Sequence, residues 1–189
     1  MIRRRLRRDD GFTLTEMIAA AAIFSLVALT LGGVMIAITN VQTQVTTSTS
    51  ATSMAQTTAD SIDSGVRNAA ALQLTASGSD QLLIAKVAGS DPTLTWHCRA
   101  WFYSAAEGGK IWMTQTAEGT AITAPDSAGL AAWTLLVDGV TPSSGSTVFT
   151  RAGDSVEVGF LVAVTGTSPV QMDFTTTSLL GVSEDASCY

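Results

Sequence analysis

From Met17 to Ile38 the chain runs 22 residues without a charged side chain, broken only by Ser25, Thr30, Gly32 and Gly33. As a helix rising 1.5 Å per residue this run is about 33 Å long, enough to cross a hydrocarbon core of about 30 Å. One acid, Glu16, stands at its head. An ionised carboxylate in hydrocarbon costs about 2.5 to 3.5 kcal/mol on insertion scales, so its presence calls for something that neutralises it.

Five of the ten basic residues, Arg3, Arg4, Arg5, Arg7 and Arg8, precede Gly11, opposed there only by Asp9 and Asp10. By the positive-inside tendency this puts residues 1–11 in the cytoplasm and everything after Ile38 outside. Beyond Gly11 the chain keeps five basic and fourteen acidic side chains, a net charge of −9. Such an acidic body binds phosphate backbones poorly, so direct nucleic-acid binding is not expected. The 189 residues, 46% hydrophobic and 14% charged, allow one membrane segment plus one folded domain of about 100 to 150 residues. A secretory signal peptide shares the basic start but is cut after its apolar stretch. Here the polar break, Asp9-Asp10-Gly11, lies before the stretch, and Glu16 lies where a signal peptide wants no acid. A twin-arginine signal is disfavoured too, because Asp9 and Asp10 follow the arginine pair where an apolar residue is wanted.

Gly11-Phe12-Thr13-Leu14-Thr15-Glu16, with its basic leader and apolar sequel, resembles the class III signal of type IV pilins and of the pseudopilins of type II secretion. The resemblance implies a membrane-embedded prepilin peptidase that cleaves after Gly11 and methylates the new amino terminus at Phe12. Thr15 departs from the aliphatic residue usual before the acid. The resemblance also suggests a role for Glu16. In a bundle of such helices its carboxylate can meet the positive N-terminus of Phe12 in a neighbouring subunit, in low-dielectric surroundings where the attraction is strong. Misaligned docking leaves the acid buried and unpaired, at a cost of several kcal/mol, so the pair pins the register. The alternative is a carboxylate that reaches the headgroups from near the helix end.

The helix is expected to continue from Phe12 to about Leu72, some 90 Å in all. Val41, Val45, Ser48, Thr52, Ala55, Ala59, Ile62, Val66 and Ala69 recur in steps of four and three, a narrow face of small residues. Gly32-Gly33 and the Ser/Thr-rich stretch 44–54 are weak points by propensity, and a flexible stalk is the alternative reading there. Past Gly78-Ser79, segments starting at Gln81, Thr93, Lys110, Trp133, Ser155 and Val170 read as strands. Glu107-Gly108-Gly109 reads as a hairpin turn. The hairpin's first strand puts Trp96, Cys98, Ala100 and Phe102 on one face, expected to pack on the helix. It puts His97, Arg99, Trp101 and Tyr103 on the other, expected to lie outward under a loop or against a ligand or neighbouring subunit.

Catalytic patterns are missing. His97, the one histidine, neighbours Cys98 on a strand, where consecutive side chains point apart and cannot pair as base and nucleophile. No zinc, phosphate-loop or serine-hydrolase motif is present, and Asp60 and Asp63 read as solvated helix-face acids, so neither catalysis, a metal nor a cofactor is expected. Cys98 and Cys188 lie in the region predicted to be outside. A bond between them, like the C-terminal disulfide of many pilins, would contribute on the order of 4 kcal/mol by loop entropy; the alternative is two separate buried thiols.

Together these readings predict a pilin-like α+β subunit, a long N-terminal helix packed through its later half on an antiparallel sheet. Residues 1–11 form a removable leader, 12–38 a transmembrane or filament-core helix, 39–72 its amphipathic continuation and 73–189 an extracytoplasmic β-rich domain. The resemblance implies prepilin peptidase, an assembly platform protein, an assembly ATPase, the membrane and other pilin or pseudopilin subunits as partners. At the pattern level the chain looks more like the larger minor pilins and pseudopilins than a compact major pilin, and a minor pilin is the expectation. The rival readings are a type II secretion pseudopilin and, from another class, an uncleaved membrane-anchored extracellular binding protein or enzyme.

Overall fold

The computed structural model describes residues 13–89, 94–117, 119–182 and 188, apart from the side chain of Glu107. The leader, Gly11 and Phe12 lie outside the described residues. The chain divides into two compact units, Met1–Thr43 and Gln44–Tyr189. A single helix, α1 (Leu14–Arg67), runs through both.

In the first unit every described residue is exposed, the large apolar ones included. The helix passes through Gly32 and Gly33 without a break, and a Cβ added at either would touch nothing within 4 Å. Hydroxyls along the helix bond back to their own backbone. Ser25 donates to the Ala21 carbonyl at 2.8 Å, Thr30 to Val27 at 2.9 Å and Thr39 to Ile36 at 2.9 Å. Each polar group is thereby satisfied inside the helix, the condition a helix must meet in hydrocarbon.

In the second unit the helix buries Ala51, Ala55, Thr58, Ala59, Ile62, Gly65 and Val66. It stops at Arg67 rather than near Leu72. Asn68 caps the end, its amide nitrogen donating to the Ser64 carbonyl at 2.9 Å. The alanine-rich segment that follows turns instead into β1 (Ala69–Ser77), paired antiparallel with β2 (Asp80–Ala88) around Gly78 at φ +62°. Helix propensity favours continuation here by only tenths of a kcal/mol per residue, which pairing along a whole strand overrides.

The first sheet has the order β1-β2-β3-β4-β5, with β3 (Trp96–Ser104), β4 (Lys110–Ala117) and β5 (Thr134–Asp138). All its pairings are antiparallel. The β3–β4 turn contains Gly109 at φ +82°, where a Cβ would lie 1.7 Å from the Val140 carbonyl oxygen, so no other residue fits without movement. The segment from Trp133, read from sequence as one strand, is divided at Gly139: β5 stays in the first sheet and β6 (Val140–Pro142) enters a second. A positive φ of 66° at Gly139 makes that corner. The second sheet places β6 and β7 (Phe149–Ala152) along one side of β8 (Ser155–Val162) and β9 (Val170–Thr177) along the other.

One core joins helix and sheets. Ile62 and Val66 of α1, Leu83 and Trp101 of the first sheet, and Phe149 and Phe160 of the second belong to the same buried cluster. Trp101 is fully buried, its indole N–H donates to Ser61 Oγ at 3.0 Å, and its ring lies so close to the helix that a Cβ on Gly65 would sit 2.0 Å from it. This reverses the expected faces of β3. The Trp101 and Tyr103 face packs on the helix cluster, while Cys98, Ala100 and Phe102 face a second cluster with Ile122 and Cys188. His97 and Arg99, on the Trp101 face, stay half-buried. Both faces of β3 are aromatic or apolar, so alternation separated them without saying which one meets α1.

Gln81 ties the two sheets. Its carbonyl oxygen accepts from the Val148 and Phe149 N–H groups at 2.7 and 3.0 Å, and its amide donates to the Phe149 carbonyl at 2.8 Å, all buried. Three matched bonds offset the cost of taking this polar side chain out of water.

Candidate functional site

The described chain begins at the motif that the sequence singles out. Thr13 precedes the first helical residue, and its carbonyl accepts the N–H groups of Glu16 and Met17 at 3.1 and 3.2 Å. Its hydroxyl accepts from the Glu16 N–H at 3.4 Å and donates to a Glu16 carboxylate oxygen at 3.5 Å. Thr13 and Glu16 thus have the spacing of a helix capping box, a role sequence reading missed although Thr-x-x-Glu before an apolar run signals it. The acid in the first turn also faces the partial positive charge of the helix N-terminus. These contacts are long and exposed. They hold Glu16 locally and leave its carboxylate accessible to a stronger partner.

Around and after Glu16, as far as Ile38, the surface of α1 is apolar on every side. Leu14, Ile18, Phe24, Leu29, Met35 and Ile38 are all at least half exposed. The helix is long and apolar enough to cross a membrane. An all-round apolar surface is suited to lipid or to the interior of a helix bundle. Of the small-residue stripe, Ala55, Ala59, Ile62 and Val66 are buried, whereas Val41 and Val45 are exposed.

Cys98 and Cys188 are joined in a disulfide, with Cα atoms 5.4 Å apart. The Cys188 carbonyl accepts the Ile122 N–H at 3.0 Å, so the connection between β4 and β5 and the Cys188 end of the chain are fastened to the same face of the sheet. His97 lies away from Cys98, with Nε2 3.5 Å from Thr95 Oγ1. Arg99 donates to Gln115 across the β3–β4 pair at 3.0 Å. Asp63 pairs with Arg67 one turn on at 3.0 Å, Arg67 exposed and Asp63 partly so, where such a pair adds little. Among the described residues no group of three or more histidine, cysteine or acidic side chains is placed to hold a metal ion.

Tyr103 has its phenol pushed above the usual range, by burial first and then by the nearby Asp80 carboxylate. Asp173 is held below the usual carboxylate range by hydrogen bonds from Ser143 and then Gln171. Neither group lies near the helix N-terminus in sequence, and both belong to the second unit.

No curated protein and no solved structure matches the chain. Residues 6–32 match the family model described as the prokaryotic N-terminal methylation motif. Over those residues the chain therefore carries the N-terminal signature of type IV pilins and pseudopilins.

Proposed function

We propose that this chain is a subunit, in the minor-pilin class, of a type IV pilus, cleaved after Gly11, methylated at Phe12 and polymerised through α1. The observation that carries the reading is the apolar surface of residues 17–38, exposed on all sides and headed by a single acid that lies within the methylation motif. Before assembly the leader lies in the cytoplasm, α1 spans the inner membrane and the second unit lies outside. In the filament, Glu16 exchanges its long contact with Thr13 for the methylated N-terminus of a neighbouring subunit's Phe12. Charge pairing at low dielectric is worth far more than the exposed contact it replaces, so one alignment of neighbouring helices is favoured. No catalytic step is assigned to the chain. A pseudopilus of type II secretion would use the same helix and the same processing, and is the second reading.

Intact mass and N-terminal peptide analysis of the protein from its native membrane tests the proposal, alongside a Gly11→Ala variant. The expected result is a mature chain starting at methylated Phe12, with the variant left at full length. A chain that keeps residues 1–11 in cells whose peptidase processes other prepilins would make the uncleaved anchored receptor or enzyme the leading account. Glu16→Gln then separates processing from assembly: it should be cleaved normally and fail to enter filaments.

A further inference from the structure

We propose that the groove on the face of the first sheet opposite α1 binds a neutral saccharide. The groove has a volume of about 750 Å³, within the range of small-ligand sites. Phe102, Trp112 and Trp133 line it, and Asp80, Asp126 and Lys110 add charge. Phe102 and Trp133 meet edge to face, with ring centroids 6.1 Å apart, so the position of the Trp133 ring is set by packing. Trp101, on the other face of the sheet, is wholly buried, whereas Trp112 and Trp133 remain half-buried. Two large indoles left partly open in one concave surface cost the chain burial that an ordinary core would have taken.

The polar groups narrow the ligand. Asp80 accepts the Ala105 N–H at 2.9 Å and Asp126 accepts the Gly129 N–H at 2.7 Å, each through Oδ1. Those bonds orient both carboxylates, and the second oxygen of each has no hydrogen-bond partner among the described residues. Two oriented acceptors disfavour a phosphate or another anion, and charge beside the aromatic rings disfavours an acyl chain. A pyranose ring presents an apolar C–H face to an indole and a perimeter of hydroxyl donors to carboxylates, so it satisfies both parts of the lining. The volume suits a disaccharide unit, whether free or at the end of a surface glycan. The proposal does not depend on the filament reading.

The test uses the full chain, disulfide intact, in a zwitterionic detergent without a sugar headgroup. Cellobiose, lactose, maltose and N,N′-diacetylchitobiose are titrated while tryptophan fluorescence is followed, a readout suited to a site holding two of the four tryptophans. Saturation-transfer NMR on the same samples reports which sugar protons touch the protein. At least one disaccharide should give a saturable signal. Asp126→Asn keeps the acceptor for Gly129 and should weaken binding at least about tenfold, the usual effect of losing a charge-assisted hydrogen bond. Ala131→Arg places a long side chain at an exposed position of the groove wall and should abolish binding, with circular dichroism and the melting midpoint unchanged. Absence of saturation with every disaccharide overturns the proposal. So does binding that survives both substitutions, or an equal response to a leucine-rich peptide, which would identify the groove as a seat for a protein segment. A free glycan of the same sugar that competes with the disaccharide assigns the source to surface glycans. Failure to compete assigns it to the free sugar.

Discussion

Residues 14–43 and 44–67 belong to one uninterrupted helix, yet they differ in where their partners come from. The later half buries alanines and one glycine against a sheet of its own chain, and Gly65 lets the Trp101 ring come close. The earlier half carries larger apolar residues, and all are exposed. The same backbone geometry therefore serves two kinds of packing. Small residues on one narrow stripe suit a fixed partner inside the chain, and an all-round apolar surface suits partners supplied from outside it. The difference also separates stability from assembly, because one half contributes to the folded core and the other contributes nothing to it that the structure shows.

Substitutions can test that separation, beginning where the effect is largest. Trp101→Ala empties the helix–sheet contact and should cost about 3 to 5 kcal/mol, read as a lower denaturant midpoint of the second unit. A loss below about 1 kcal/mol would mean that the later half of α1 is not held as described. Gln81→Leu comes next. It leaves the buried N–H groups of Val148 and Phe149 without their acceptor and should cost about 3 kcal/mol, since each unpaired buried group costs about 1 to 3.

A third comparison uses one substitution at two sites of the same helix. Gly65→Ala drives a methyl group into Trp101 and should destabilise by about 1 to 3 kcal/mol, partly offset by better helix propensity. Gly32→Ala meets nothing and should leave the unfolding midpoint of the second unit unchanged. Equal shifts at the two sites, measured by chemical unfolding, would end the distinction drawn above.

The smallest effect is a pH dependence. Asp173 has its folded-state pKa depressed below 3.8, so its contribution to stability is present above that pH and is lost as the pH falls through the lower, folded value. Ser143→Ala should flatten this acid-side loss, measured as unfolding midpoint against pH below about 4, and leave the midpoint at neutral pH little changed. The group is fully exposed, so the slope is small.

The N-terminal signature is legible in sequence because it is contiguous: the end of the leader, the glycine, the acid and most of the apolar run sit within residues 6–32, the stretch that the family model matches. The buried stripe from Ala55 to Val66 is legible for the same reason, since helical periodicity is local. The end of the helix is not, because Ala69 continues the stripe while its fate is decided by pairing with β2. The hairpin from β7 to β8 had a usable signal, Gly153-Asp154 between alternating residues, and sequence reading passed over it. The faces of β3 were assigned the wrong way round. What settles them is the gap opposite Gly65, a fit between residues 36 positions apart that no local pattern encodes. The saccharide groove likewise draws on residues from 80 to 135 and has no sequence motif.

The disulfide sets an order of events during synthesis. Cys188 follows all nine described strands, so its bond to Cys98 in β3 can form only after the chain beyond that strand has been made. Until then Cys98 is a single thiol on a sheet whose outer cover is incomplete, open to the wrong partner. A chain halted partway is therefore chemically distinguishable from one that has reached Cys188: the unpaired thiol marks the first, and its disappearance marks the second.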